Sequence, residues 1–432
     1  MQILKKIILI LLSIIFFTAP GLAAESNIFS VEECLRIALE NHPSLKKNKI
    51  ATRGARTELE RIKSSNRVKV NLTGRAGYDG DYEDSDSRYH SESLAITASK
   101  TLYDTGIHKL NREIQNQNIT AAIEQELITQ ISVASTAKKA YYDLVLKILN
   151  RDVELEKVKN LEKHLETARG TYEVGNSPFI DVTKAEADLA AGQVELLKAE
   201  NDILLSQEAL KVAMGVRNYE FVNLSLPKKF PLPQAAGKLE DLLSIAMKDR
   251  PDYRKILTTI RRRELEIKLA ARTNVPTITG SLGSTFSKRE GTNDSKNYSA
   301  ALNLNVPIVE GGERAARITA AREMLEQDLT DEESLKLTIN QSLRSAALSL
   351  TNALERAKSS ELAVKHSEEN LALAEGRYEV GVGDSLSVSD AVRTLATSRY
   401  ALYQALYDAQ VARASLDEAL GHLPEEFKNG SN

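Results

Sequence analysis

Large hydrophobic residues recur at every seventh position in two stretches of the chain, and smaller residues recur between them. The large-residue positions are Val182, Leu189, Leu196, Ile203 and Leu210, then Val388, Leu395, Leu402, Ala409 and Leu416. The small-residue positions are Ala185, Gly192, Ala199, Ser206 and Ala213, then Ala391, Ser398, Ala405, Ala412 and Ala419. A heptad repeat that alternates large with small residues is typical of helices that pack closely along a coiled-coil seam.

Each heptad stretch follows a long segment without proline, and a repeated eight-residue segment lies between the two. The copies are Ala168–Gly175 and Ala374–Gly381, which share the initial alanine and the final Tyr-Glu-Val-Gly. Glycine closes many helices because it adopts the left-handed backbone conformation without strain. The pattern therefore predicts two long helical hairpins, 107–215 and 312–421, whose turns fall at the repeated segments.

The elements that precede each hairpin also occur twice, which indicates an internal duplication. Each copy begins with a short amphipathic helix stopped by a proline, followed by a second helix and two strands. We therefore divide the chain into a first repeat, 25–215, a linker, 216–238, a second repeat, 239–421, and a polar tail, 422–432. The prolines of the linker favour an extended segment.

Two segments of each repeat alternate apolar residues with hydroxyl or amide side chains. A period of two is the pattern of a strand with one apolar face and one polar face. The predicted strands are about 67–79 and 92–104 in the first repeat, and about 275–287 and 297–308 in the second.

The first 24 residues have the features of a secretory signal peptide. Lys5 and Lys6 precede an apolar run, Ile7–Phe17, and the small residues of Gly21–Ala24 offer a cleavage site. The apolar run is shorter than the roughly 20 residues that span a bilayer, and no later stretch is apolar enough to span as a helix. We therefore expect an exported chain that enters a membrane only through its strands.

The composition gives no indication of a nucleic-acid ligand, a cofactor or a catalytic site. The 57 Lys and Arg nearly balance the 60 Asp and Glu, so the net charge does not favour nucleic acid. None of the six histidines is spaced from another in the way that metal-binding histidines are. The acidic segment between the first two strands lacks the ligand pattern of a calcium loop, so we predict no metal site. The single cysteine, Cys34, matches Leu242 of the second repeat and is predicted to be a buried small apolar residue. We expect a protein that is not an enzyme.

Four strands with one apolar face cannot form a complete membrane sheet. A sheet in lipid must close on itself, and outer-membrane barrels have at least eight strands. Three chains would supply twelve strands, and their six hairpins would supply a ring of twelve long helices. The predicted fold is therefore mainly α with membrane β, with duplicated helical hairpins that form a coiled-coil tunnel.

The ordered set of motifs resembles the TolC family of outer membrane efflux proteins over nearly all of the mature chain. The resemblance rests on the repeated Tyr-Glu-Val-Gly turn, on the strand-to-helix segments Leu102–Gly106 and Ile308–Gly312, and on the duplicated element order. It implies a homotrimer with a 12-stranded β-barrel, as the outer-membrane channel of a tripartite efflux or type I secretion system in a Gram-negative bacterium, with its helical tunnel in the periplasm. The implied partners are a periplasmic adaptor protein, an inner-membrane pump and outer membrane lipid.

The resemblance also implies a periplasmic gate at the hairpin turns. Its residues are matched here by Asp181 and Tyr378, which would share an inter-helix hydrogen bond, and by Asp390, whose three copies would form a cation-favouring ring. Gly383 and Ser387 replace an arginine and an acidic residue of the family pattern. The turn residues are candidates for adaptor docking: Tyr172, Val174, Gly175, Val380 and Gly381.

A second hypothesis is a secreted periplasmic coiled-coil interaction protein without a pore. It accounts for the helices, but it leaves the apolar face of the predicted strands exposed to water. The two hypotheses differ in where the protein is found after cell fractionation.

Overall fold

The computed structural model describes residues 28–79, 89–217, 223–224 and 232–424. The predicted signal peptide, the acidic segment between the first two strands, most of the linker and the end of the tail lie outside these residues. The helices are α1 (Val31–Asn41), α2 (Pro43–Ser65), α3 (Ile107–Glu173), α4 (Phe179–Met214), α5 (Leu239–Asp249), α6 (Pro251–Ala270), α7 (Glu313–Glu379) and α8 (Ser385–Leu420). The strands are β1 (Ile28–Phe29), β2 (Lys69–Asp79), β3 (Tyr89–Tyr103), β4 (Asn223–Leu224), β5 (Thr277–Arg289) and β6 (Ser295–Asn305).

The two long hairpins are present as predicted, and each pairs a long helix with a shorter one. Helices α3 and α7 both contain 67 residues, which corresponds to about 100 Å at 1.5 Å per residue. Gly175 and Gly381 adopt left-handed conformations, with φ of 77° and 76°. The turn glycines therefore close the long helices in the way that the repeated segment predicts.

The helices form a layer in a defined order. Helix α3 packs against α4 and α2 and also against α8 and α6, and α7 packs against α8 and α6; α4 and α8 also touch near the turns. Helix α4 ends where α2 begins, and α8 ends where α6 begins, so each short pair continues along the same long helix. Helix α7 and the α4–α2 pair are consequently the two outer edges of the layer.

The two short helices at the start of each repeat anchor the ends of the hairpins. A core cluster joins Cys34 and Leu35 of α1 to Tyr141 and Leu144 of α3 and to Met214 of α4. Cys34 is fully buried, and burial raises the pKa of its thiol to about 12. The prediction that Cys34 is a buried apolar residue is confirmed. A matching cluster joins α5 to α7 and α8 in the second repeat.

Two glycines allow the hairpin ends to approach the short helices closely. Gly215 and Gly421 have φ of 70° and 78°, and each follows the last residue of a helix. A Cβ atom on Gly215 would lie 2.7 Å from the Cα of His42, and one on Gly421 would lie 2.7 Å from the Cα of Arg250. The side chain of Arg250 also donates to the carbonyl of Ala419 at 2.9 Å.

Replacing Gly421 by alanine is therefore expected to destabilise the protein more than replacing Gly381. Both glycines adopt the left-handed backbone conformation, and an alanine held in this conformation lowers the free energy of unfolding by about 1–2 kcal/mol. The alanine at position 421 would also clash with Arg250, whereas the space around Gly381 is open. Such overpacking destabilises a protein by about a further 1–3 kcal/mol. Denaturant unfolding of Gly421→Ala and Gly381→Ala measures the difference, and equal losses would contradict the close approach.

The sheet is antiparallel throughout, in the order β2–β3–β5–β6, so β3 of the first repeat pairs with β5 of the second. The pairs Val70–Ala98, Ala98–Leu282 and Leu282–Ala300 are directly opposite one another. Residues at even positions of the four strands therefore share one face, which contains the predicted apolar series, except at the end of β3, where a register shift between Thr101 and Tyr103 brings Tyr103 opposite Ile278. Two strands are longer than predicted at one end: β3 begins at Tyr89 and β5 ends at Arg289, and both residues are paired with a neighbouring strand.

A small second sheet was not predicted. Ile28–Phe29 pairs in parallel with Asn223–Leu224 of the linker. Part of the linker therefore returns to the beginning of the first repeat. Among the described residues, the structure contains no helix with both the length and the hydropathy needed to cross a membrane.

Candidate functional site

The first candidate site is the uncovered apolar face of the sheet. Several of its large side chains are more than half exposed: Val70, Leu72, Leu282, Leu302 and Leu304. Leu282, at the centre of the face, is 63% exposed. No helix of the described chain packs against this face. Large contiguous apolar patches are rare on soluble monomers and mark contact with a protein or a membrane.

The apolar face has limits along the strands. On β3 it extends from Leu102 to Leu94, which is about 27 Å at 3.4 Å per residue and about 20 Å in height at a tilt of 40°. Beyond Leu94, toward the start of β3, the next residue on this face is Glu92, which lies opposite Lys288 of β5. Lys100 lies near the helical end, where a lysine side chain can extend its ammonium group to the interface. The height is close to the roughly 25 Å apolar band of outer-membrane sheets.

The opposite face of the sheet is polar. Its positions carry hydroxyl and amide side chains on all four strands, such as Thr73, Thr97, Thr279 and Asn303. Strand directions alternate across the sheet, and in the described chain the outer strands β2 and β6 each have one edge without a partner strand. These two edges offer free backbone donors and acceptors for further strands.

The second candidate site is the pair of hairpin turns, which differ in their packing. The ring of Tyr172 contacts Phe179 of the same hairpin at 5.4 Å between centroids. Tyr378, the equivalent residue, is 6% exposed and instead contacts His164 of the other hairpin at 5.3 Å. Ser385 occupies the position equivalent to Phe179, and its hydroxyl is hydrogen-bonded to His164 Nε2 at 2.9 Å. The small serine leaves space for the imidazole.

The structure corrects one expectation at this site. The Tyr378 hydroxyl is buried and has no hydrogen-bond partner, so the predicted bond between Tyr378 and Asp181 is not formed. The tyrosine ring lies against His164, and Asp181 lies in the first turn of α4. Asp390 forms an ion pair with Arg393 on its own helix. His164 was not singled out from the sequence, although its position between Leu161 and Ala168 on the apolar stripe of α3 could have indicated burial.

Several other polar contacts join the two hairpins near the turns. Lys163 of α3 donates to Glu375 of α7 at 2.8 Å, and the Ser389 hydroxyl of α8 donates to Asp188 of α4 at 2.8 Å. Arg399 of α8 bonds Glu156 of α3 and also Glu368 of α7. Most of these groups are partly exposed, where ion pairs contribute little stability. These contacts instead fix the position of one hairpin relative to the other.

The turn after α7 leaves no space for the arginine of the family pattern. A Cβ atom on Gly383 would lie 2.9 Å from the backbone nitrogen of Tyr378 and 3.0 Å from the carbonyl carbon of Arg377. The side chains of Val174 and Val380, by contrast, are 71% and 73% exposed at the two turns. The turns therefore combine a tightly packed inner side with an accessible apolar tip.

Replacing Tyr378 by phenylalanine is expected to leave the protein as stable or to stabilise it by about 1 kcal/mol. The change removes a buried hydroxyl that has no partner, which carries a desolvation cost, and keeps the ring contact with His164. Thermal unfolding of Tyr378→Phe, compared with Tyr172→Phe at the exposed turn, measures this effect. A large loss of stability specific to Tyr378→Phe would show that the hydroxyl has a partner.

No group of three or more His, Cys, Asp or Glu side chains in the described ranges is placed to hold a metal ion. The sites are thus an apolar sheet face, two open strand edges and a pair of helical turns joined by polar contacts. Together they define a helical-hairpin protein that carries a sheet suited to a membrane.

The chain belongs to the outer membrane efflux protein family, whose sequence model matches residues 34–216 and 242–422. The two matched segments correspond to the two repeats. The resemblance to the TolC family proposed from the sequence is confirmed. This family is defined by efflux and not by a catalysed reaction.

Individual relatives agree with this assignment. The outer membrane protein TolC of Vibrio cholerae is 23% identical over 271 residues, which is 61% of this chain and 62% of the relative. The solvent efflux pump outer membrane protein SrpC of Pseudomonas putida is 28% identical over 256 residues, which is 57% of this chain and 53% of the relative. The aligned part of the chain thus spans somewhat more than half the length of these relatives.

A solved structure extends the comparison over most of the chain. The CmeC outer membrane channel of Campylobacter jejuni superposes with a TM-score of 0.77 at 16% identity, covering 92% of this chain and 88% of the other. At this identity the likeness concerns the fold. The predicted combination of duplicated helical hairpins and an antiparallel sheet is confirmed.

Proposed function

We propose that three copies of this chain form a passive export duct in the outer membrane of a Gram-negative bacterium. The observation that carries the proposal is the uncovered apolar face of the sheet, backed by a polar face and continued by helices about 100 Å long. The apolar face would contact lipid, and the polar face would line a water-filled bore. No catalytic step is part of this function.

The strand directions support ring closure by copies of the same chain. Strand β2 runs antiparallel to β3, β3 to β5 and β5 to β6, so β6 and β2 have opposite directions. Pairing β6 of one chain with β2 of the next therefore keeps the whole sheet antiparallel. Twelve strands from three chains would leave no strand edge with unpaired backbone donors and acceptors, as a sheet in lipid requires.

The helical layer has matching apolar edges. On α7, four exposed leucines recur at intervals of 11 or 14 residues, close to whole numbers of helical turns, and form one stripe: Leu337, Leu348, Leu362 and Leu373. On α4, a second exposed set lies off the seam with α3: Val194, Leu197, Leu204 and Leu205. We infer that α7 of one protomer packs against α4 of the next. Such a contact is heterologous and closes a ring when the rotation is one third of a turn.

The proposed partners are a periplasmic adaptor protein and an inner-membrane pump, in a tripartite efflux or type I secretion system. Support comes from the name of SrpC, the outer membrane protein of a solvent efflux pump. The exposed tips, Tyr172–Gly175 and Val380–Gly381, are the proposed docking surface for the adaptor. Their apolar side chains are accessible at the end of the hairpins farthest from the sheet.

The proposed gate is the narrow end of the tunnel at the hairpin turns. Asp181, Tyr378 and Asp390 all lie within the last turns of α7 or the first turns of α4 and α8. Three copies of Asp390 around one axis would favour cations, although the ion pair with Arg393 weakens this effect.

Cell fractionation tests the proposal against the alternative of a secreted coiled-coil protein without a pore. The duct predicts that the mature chain sediments with outer membranes and is extracted as a trimer by detergent. Recovery of a monomer in the soluble periplasmic fraction would favour the alternative.

A further inference from the structure

His164 occupies the contact between the two hairpins at the proposed gate. It lies on α3, is 4% exposed, and is hydrogen-bonded to Ser385 at the start of α8. Its ring also packs against Tyr378 in the last turn of α7. One side chain of the first hairpin is thus held by both helices of the second.

The duplication shows that this contact is specific to one turn. In the other repeat, the positions equivalent to His164 and Ser385 are Asn370 and Phe179. Tyr172 packs on Phe179 within its own hairpin, and Asn370 is exposed. The histidine therefore does not serve the closure of a single hairpin, because the equivalent turn closes without one. It serves the contact between hairpins.

The charged groups around His164 come from two neighbouring helices. Helix α4 contributes Asp181, Lys184 and Asp188, and α7 contributes Glu375, which is already paired with Lys163. Burial lowers the pKa of His164, and this effect outweighs the three carboxylates, which act in the opposite direction. The imidazole is therefore neutral at pH 7 in the packed arrangement.

We propose that His164 is a pH-responsive latch that holds the hairpins together when neutral and releases the second hairpin when protonated. This inference rests on the proposed duct and gate, and it assigns acid as a signal that opens the duct. An imidazolium ion at this position would be a buried charge with a serine hydroxyl and an aromatic ring as its nearest partners. Separation of the hairpins would expose it to water.

The direction of the pH effect follows from the lowered pKa. The packed, closed form binds fewer protons than a form in which His164 is hydrated and titrates near 6.5. The contribution of His164 to the closed form is complete above pH 6.5 and is lost as the pH falls toward its pKa in the closed form. A difference of one pKa unit changes the ratio of open to closed forms by up to about tenfold.

Single-channel recording of the purified trimer between pH 7.5 and pH 5.0 tests the latch. The wild-type protein and His366→Gln are expected to rise in open probability as the pH falls, because burial lowers the pKa of His164 in the closed form. His366 is a suitable control because it lies exposed on α7 and pairs with Glu369. His164→Gln keeps a hydrogen-bonding side chain without titration and is expected to lose the pH response. A response retained in His164→Gln, or absent from the wild type, would overturn the inference.

A distance measurement gives a second readout that does not depend on conductance. A spin label on Val380→Cys reports the separation of the three turns across the entrance, and the buried Cys34 is protected from labelling. We expect the separation to increase at pH 5.0 only when His164 is present. Trimers that conduct without a pH-dependent separation would refute the latch alone. A chain that forms no trimer would refute the proposed duct, and the latch with it.

Discussion

Leu282→Arg is expected to prevent assembly of the protein in the outer membrane. Leu282 lies at the centre of the apolar sheet face, midway between the Leu102 and Leu94 limits, and its side chain is uncovered. A charged side chain on the lipid face near the bilayer midplane costs about 2–4 kcal/mol, and a trimer would carry this cost three times. The total is comparable with the whole stability of a domain.

The neighbouring residue supplies the control. Ser281 is next to Leu282 in sequence and faces the other side of the sheet, so Ser281→Arg would place the same charge in the bore. We expect Ser281→Arg to form trimers at close to the wild-type level. The measurement is the amount of trimer in detergent extracts of the outer membrane. Equal assembly of the two variants would mean that the even-numbered face of the sheet does not contact lipid.

Leu348→Glu together with Leu362→Glu is expected to abolish the trimer while leaving the single chain folded. Both leucines belong to the exposed stripe of α7, opposite the side that packs on α8. Burying two carboxylates in an apolar contact without partners costs several kcal/mol for each chain. Both side chains are more than half exposed in the described chain, so the helical content measured by circular dichroism should be unchanged.

The double substitution Leu348→Met with Leu362→Met is the control, because it shows whether any change at these two positions, even to another apolar residue, prevents trimer formation. Methionine keeps the apolar character and nearly the volume of leucine, so we expect the trimer to persist. Analytical ultracentrifugation in detergent gives the oligomeric mass of each variant. A trimer that survives both glutamates would place the contact between protomers elsewhere on the helices.

The helices and the overall order of the fold could be predicted from the sequence because their signals are local. The heptad spacing around Val182 and Val388 and the glycines at 175 and 381 each act over a few residues, and the duplication provides every signal twice. Hydrophobic alternation also indicated the sheet faces correctly. The order β2–β3–β5–β6 was not accessible in this way, because the pairing of β3 with β5 joins segments that are almost 200 residues apart.

The hairpin turns show where the sequence was insufficient. The expected bond between Tyr378 and Asp181 was carried over from a family pattern, and the structure shows instead the Tyr378 ring packed on His164 and its hydroxyl without a partner. His164 was judged by its lack of spacing to other histidines, which is a criterion for metal sites and not for burial on a coiled-coil stripe. The two-residue pairing of Ile28–Phe29 with the linker is too short to leave a periodic signal.

The most direct test of the proposed duct is the single-channel conductance of the purified mature protein in a planar bilayer. A closed twelve-stranded ring with a polar bore predicts stable insertion and discrete, uniform openings, with Leu282→Arg unable to insert. Purified protein that binds to the bilayer or remains in solution without ever conducting would contradict the duct.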